Sequence, residues 1–159
     1  MSAAQVRAKA TGGCACGAVR FAARDVPLTL GVCHCETCRR WMGSALLEVD
    51  VPEGQVDWQG QDHIARRQSS DWAERTWCAD CGSNLYFRMT GDSEFGGKYS
   101  IPLGLFDDPN GFVLSSEIYI DHKPDSFAYA GAPGRRQLTR ADCVAKFPLL
   151  DSDQDRSKP

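Results

Sequence analysis

Seven of the eight cysteines in this chain fall into three tight groups, and a thiolate is both a nucleophile and a soft metal ligand. Cys14 and Cys16 stand in "GGCACGAV", Cys33, Cys35 and Cys38 in "VCHCETC", and Cys78 and Cys81 in "WCADCGS", while Cys143 stands alone. Such clusters admit three chemistries: disulfide cross-linking, dithiol redox exchange and metal ligation. A chain of 159 residues that is 42% hydrophobic can bury a core of its own and needs no disulfide staples. A thioredoxin-type Cys-x-x-Cys opens a helix after a strand in a βαβ pattern, and no such pattern surrounds Cys78 and Cys81. Metal ligation is the leading reading.

Tetrahedral zinc takes four ligands, commonly from two short knuckles far apart in sequence. Cys78-x-x-Cys81 followed by Gly82 is one knuckle, since glycine can take the positive φ that leaves the tight turn. Cys14-x-Cys16, taken as part of an extended strand, sends both side chains to one face. The two pairs then complete a closed four-sulfur site, which is structural and adds its affinity to folding. Cys33, Cys35 and Cys38 remain, and three protein ligands with one vacancy is the arrangement of a catalytic zinc. A competing assignment joins Cys35 and Cys38 to Cys78 and Cys81 as a zinc ribbon. Its spacing is far longer than the roughly 15–20 residues of ordinary ribbons, and it leaves Cys14 and Cys16 without a role.

Around the triplet, His34 faces away from the sulfurs if Cys33 and Cys35 share one face of a strand, which makes it a supporting histidine rather than a ligand. His63 and His122 are isolated and read as structural or exposed. Arg39, Arg40 and Lys98 are the cations that could receive an anionic ligand, Trp41 and Met42 line either core or pocket, and Cys143 reads as a small buried apolar residue.

The elements that must carry these residues are short. Runs rich in β-branched and aromatic residues, broken by Gly, Pro and Asp, predict strands over 18–22, 44–51, 63–68, 75–78, 84–89, 98–103 and 116–121. "CETCRRW" predicts a single helical turn. The expectation is one mainly β, antiparallel domain over residues 12–147, with a flexible segment over 1–11 and a disordered tail over 148–159. No apolar run approaches the roughly 20 residues of a membrane span, and "MSAAQVRAKATGG" has no stretch of signal-peptide length, so a cytoplasmic protein without a membrane partner is expected. The net charge of −3 argues against nucleic acid as a partner.

"GGCACGAVRF", "VCHCETCRRWMGS" and "TWCADCGSNLYF", in this order, resemble the glutathione-dependent formaldehyde-activating enzyme family, which includes relatives of centromere protein V. "EIYIDHKPDSFAYAG" (117–131) resembles the family's later segment, so the likeness runs from about Gly12 to Gly134. One departure is that the family often carries tryptophan after the "KP" turn, where this chain has "DSFAYAG". The resemblance implies an Mss4-like zinc-binding β fold and two zinc ions per chain. Cys14, Cys16, Cys78 and Cys81 match the structural ligands, and Cys33, Cys35 and Cys38 the catalytic ones. It also implies a carbon–sulfur lyase that joins formaldehyde, or a related small electrophile, to glutathione or another small thiol. The alternative is a zinc-stabilised module that binds glutathione or a protein and performs no chemistry. The oligomeric state is not fixed by these residues.

Overall fold

Short alternating runs give the chain eleven strands and two α-helices among residues 5–151, which the computed structural model describes. In chain order these are β1 (Val6–Gly13), β2 (Arg20–Pro27), β3 (Thr29–Cys33), α1 (Glu36–Met42), β4 (Leu46–Pro52), β5 (Val56–Gln59), β6 (Ile64–Ser70), β7 (Ala73–Cys78), β8 (Asn84–Met89), β9 (Lys98–Pro102), β10 (Val113–Ile118), β11 (Arg136–Leu138) and α2 (Arg140–Lys146). They divide into two units. The first is the chain through Leu28 together with Val49–Phe112, and the second is Thr29–Glu48 together with the chain from Val113 onward.

In the first unit β1, β2 and β5 form an antiparallel sheet in that order, and β6, β7, β8 and β9 form an antiparallel ladder. Alternation along β2 buries Phe21 and Ala23. Asp25, at φ +47°, shifts the phase so that Val26 rather than Asp25 turns inward. Phe21 is the hub of the core, its ring 5.2 Å from both Trp58 and Phe106. A side chain at position 12 would collide with this hub: a Cβ there would stand 2.2 Å from the Leu105 carbonyl oxygen and 2.4 Å from Cζ of Phe21. Glycine is required at that close approach.

In the second unit β3 lies between β4, antiparallel to it, and β10, parallel to it, and β11 continues parallel on the far side of β10. The parallel register sets Glu117 beside Val32 and Ile118 beside Cys33. Leu30, Val32, Leu46, Leu114, Tyr119 and Cys143 are buried here. α2 opens on a capping box, in which the Thr139 hydroxyl accepts from the Asp142 N–H and the Asp142 carboxylate accepts from the Thr139 N–H.

All seven expected strands overlap observed ones, and the chain is mainly β. The sheets are not purely antiparallel, because β10 pairs parallel on both edges. "CETCRRW" forms two turns of helix rather than one. β1 starts at Val6, inside the segment expected to be flexible. Of the tail expected over 148–159, residues 148–150 form a 3₁₀ turn and residues 152–159 lie outside the described ones. No helix among the described residues is long and apolar enough to cross a membrane.

Candidate functional site

The seven clustered cysteines gather into two groups, Cys14, Cys16, Cys78 and Cys81 in the first unit and Cys33, Cys35 and Cys38 in the second, each with its sulfurs within 4.8 Å of one another. Either group could hold a metal ion. None of the eight cysteines is in a disulfide. The ribbon assignment is corrected by the grouping: the partners of Cys78 and Cys81 are Cys14 and Cys16.

The four-sulfur group is built by two turns. The first follows β1 rather than lying on a strand, since Cys14 to Val19 form a loop closed by the Cys14 N–H donating to Val19 O at 3.0 Å and the Val19 N–H donating to the Cys14 sulfur at 3.3 Å. The second follows β7, where the Cys78 N–H donates to Ser83 O and the Gly82 N–H to Cys78 O, both at 2.8 Å. Gly82 leaves that turn at φ +78°. The Ala15 N–H donates to Oγ of Ser83 at 3.0 Å and ties the two turns together. Sulfurs held at about 2.3 Å from a tetrahedral ion stand about 3.8 Å apart, and here Cys16 stands 3.6 Å from Cys14 and 3.8 Å from Cys78. The donor set and its spacing fit such an ion. The Ser83 hydroxyl and N–H draw the Cys81 thiol down to about 5. Cys16 goes the other way, because Cys14 and its other sulfur neighbours outweigh the lowering Ala18 N–H and push it up to about 12. Thiols this close compete for the same negative charge, which a cation relieves.

The triplet is deeper. Cys33 ends β3, Cys35 caps α1 and Cys38 lies in its first turn, and all three are buried, at 6–7% exposure. The Cys35 sulfur accepts from the Cys38 N–H at 3.4 Å, and the Arg39 N–H donates to Cys35 O at 2.9 Å. Hydrogen bonds with Cys35 and Cys38, then burial, push the Cys33 thiol well above its ordinary value. Leu46, Tyr119 and Cys143 complete the buried cluster, with Trp41, Met42, Ile118, Leu138 and Leu150 packed against it. Trp41 and Met42 therefore wall the triplet, and Cys143 packs beside it as a buried apolar residue. Three sulfurs converge and the surrounding side chains are apolar.

His34 turns away from the sulfurs, and its Nε2–H donates to Oε1 of Glu117 at 3.0 Å, both side chains being 1% exposed. Oε2 of Glu117 accepts from Nε of Arg135 at 2.9 Å and from the Gln137 amide at 2.8 Å. Burial acts to raise the Glu117 carboxyl, yet its hydrogen bonds with Gln137, His34 and Arg135 hold it below its ordinary value. Sequence reasoning missed Glu117, Arg135 and Tyr119, the last buried beside the triplet at φ +55°. Nothing local marks Glu117, since its partner lies 83 residues away and meets it only through parallel pairing. The expected anion-binding cations are partly engaged. Arg40 pairs with Glu36 at 2.9 Å, and Lys98, in the first unit, pairs with Asp50. His63 pairs at 2.7 Å with Asp80 inside the Cys78–Cys81 turn, so it supports that turn.

A family model described as glutathione-dependent formaldehyde-activating enzyme matches residues 9–122, which include all seven clustered cysteines and stop short of the "KP" turn. An uncharacterised lyase of Schizosaccharomyces pombe is 31% identical over 119 residues, covering 75% of this chain and 84% of the relative. A crystal structure of a Rhodobacter sphaeroides protein aligns over 81% of this chain and 99% of its own at 17% identity, with a TM-score of 0.47.

Proposed function

We propose a function that starts from the family, for this chain belongs to the glutathione-dependent formaldehyde-activating enzymes. Its role is of the lyase type, and the reaction we assign to it is the joining of formaldehyde, or a related small electrophile, to glutathione or another small thiol. Cys14, Cys16, Cys78 and Cys81 are read as a structural zinc site, and Cys33, Cys35 and Cys38 as a catalytic one. The observation that carries this reading is the division of seven sulfurs into a set of four and a buried set of three.

Cys33, Cys35 and Cys38 would hold a zinc ion with three protein ligands, and such an ion would lower the pKa of a thiol that met it toward neutral pH. Three thiolates already outweigh a dication's charge, so the site favours holding a thiol over polarising a bare aldehyde. The chain's own contributions are geometric. Cys33, Cys35 and Cys38 fix three corners, while Leu46, Tyr119, Trp41 and Met42 keep water from the sulfurs. Arg39, next to Cys38 on α1, is the cation suited to the carboxylates of a peptide thiol, since Arg40 is held by Glu36. In the reaction the sulfur forms a bond to the carbonyl carbon, the C=O π pair moves to oxygen, and that oxygen takes up the proton given up by the thiol. Holding the two partners together supplies the rate gain.

Exchange of labelled formaldehyde with its glutathione adduct, followed by NMR, tests this. The zinc-loaded protein is expected to speed exchange about tenfold or more over buffer, and Cys35→Ser to return it to the buffer rate. A wild-type protein that binds glutathione yet leaves exchange at the buffer rate would instead be the non-catalytic binding module.

A further inference from the structure

Among the described residues no fourth ligand joins Cys33, Cys35 and Cys38, so something other than the metal must hold these sulfurs in register. His34 sits between Cys33 and Cys35, and β10 pins it at two points. Its N–H donates to Ile118 O at 3.0 Å and its ring to Glu117 at 3.0 Å. Glu117 is locked in turn by Arg135 and Gln137, and Arg135 also donates to Tyr129 O at 2.9 Å. The rings of Tyr129 and Phe127 lie 6.0 Å and 6.4 Å from that of His34. A carboxylate this deeply buried is costly, and a wholly apolar cluster in place of Glu117 and its partners would serve stability as well or better. Its return is a fixed orientation. The four-sulfur site makes the contrast: among the described residues its two turns are held by backbone and Ser83 hydrogen bonds and by the solvent-exposed His63–Asp80 pair, with no buried carboxylate beside them.

We infer that Glu117 is a positioning residue for the three-cysteine site, setting the Cys33–Cys35 backbone through His34. The inference rests on the proposed metal-holding role of Cys33, Cys35 and Cys38. Glu117 touches neither thiol substrate nor metal, and acts by keeping Cys33 and Cys35 aimed at one point when the fourth corner is open. Partners hydrogen-bonded to metal ligands are worth about 10–100-fold in metal affinity, and Glu117 reaches the ligands Cys33 and Cys35 through the residue between them.

The test follows zinc release from the fully loaded protein into excess chelator. Wild type is expected to release two equivalents in two phases. Glu117→Ala should speed the fast phase about tenfold or more and leave the slow phase unchanged, and Glu117→Gln, which keeps an acceptor oxygen for His34, should stay near wild type. His34→Leu leaves Glu117 its bonds to Arg135 and Gln137, so it reads the same clamp even if the alanine variant does not fold, and it too should speed only the fast phase. Acceleration of both phases together in His34→Leu would mean a purely structural role, and an unmoved fast phase in both variants would mean none; either overturns the inference while leaving the function reading intact. A wild type that releases a single equivalent in one phase removes the function reading itself, and this inference with it.

Discussion

At the scale of single residues, the seven clustered cysteines are chemically one type and differ only by what surrounds them. Cys81 is exposed and lowered by Ser83, whereas Cys33 is buried among two sulfurs and raised. The same dependence on surroundings holds for glycine. Gly12 sits between the Leu105 carbonyl and the Phe21 ring, where an added methyl group would meet atoms 2.2 Å and 2.4 Å away. Gly12→Ala must therefore push apart β1 and the Phe21 hub, and overpacking of this kind costs about 1–3 kcal/mol. Urea titration should show the midpoint fall with the slope unchanged. An unshifted midpoint would mean that this contact relaxes without cost. Nothing in the sequence around Gly12 shows this packing reason, because Leu105 and Phe21 reach it only through the fold. The two cysteine groups were legible from spacing, although Cys14 and Cys16 lie in a turn and not on the strand that the reading assumed. Glu117 was not, for a lone acid in "SEIYID" carries no sign of the histidine it will meet.

At the scale of elements, alternation found the strands that have one wet face, and failed where a strand is short or polar. β1, "VRAKATGG", reads as a solvated segment, and β5, "VDWQ", is too short to show a period. β11 and the parallel pairing of β10 were invisible for a different reason, since parallel partners are joined by long connections that no local signal marks. α2 was legible and was missed, because "TRAD" is a capping signature ahead of a helical run. One surface clasp links elements and yields a pH prediction. Asp107 accepts two hydrogen bonds from Arg20 of β2 and one from the Thr11 hydroxyl of β1, and its N–H donates to Thr11 O. The Arg20 hydrogen bonds, then that of Thr11, hold its carboxyl below the ordinary value of 3.8. A depressed carboxylate contributes stability above its unfolded value and loses it as pH falls through the folded one. Asp107→Asn should therefore melt lower than wild type near neutral pH, with the gap closing as pH drops below 3.8. A gap that is constant across pH would show the clasp to be neutral packing and not an ion pair.

At the scale of the whole molecule, each unit carries its own sulfur group, the first a set of four and the second a set of three, which on the proposed reading leaves a corner open. The two should answer differently to chelation. A four-sulfur ion is part of the folding free energy of the unit that holds it, as structural zinc sites are. An ion held by three sulfurs is more accessible to an incoming competitor, just as it is to an incoming thiol. Mild chelation of the fully loaded protein is therefore expected to remove one equivalent first and abolish formaldehyde–glutathione exchange while the melting temperature stays near its starting value. Harsher chelation then removes the second equivalent and lowers the melting temperature steeply. Metal analysis, exchange rate and thermal melting measured on the same fractions check the order. Were stability to fall with the first equivalent, and exchange only with the second, the order of release would be overturned: the four-sulfur group, with Cys16 and Cys81 exposed, would give up its ion before the buried triplet does.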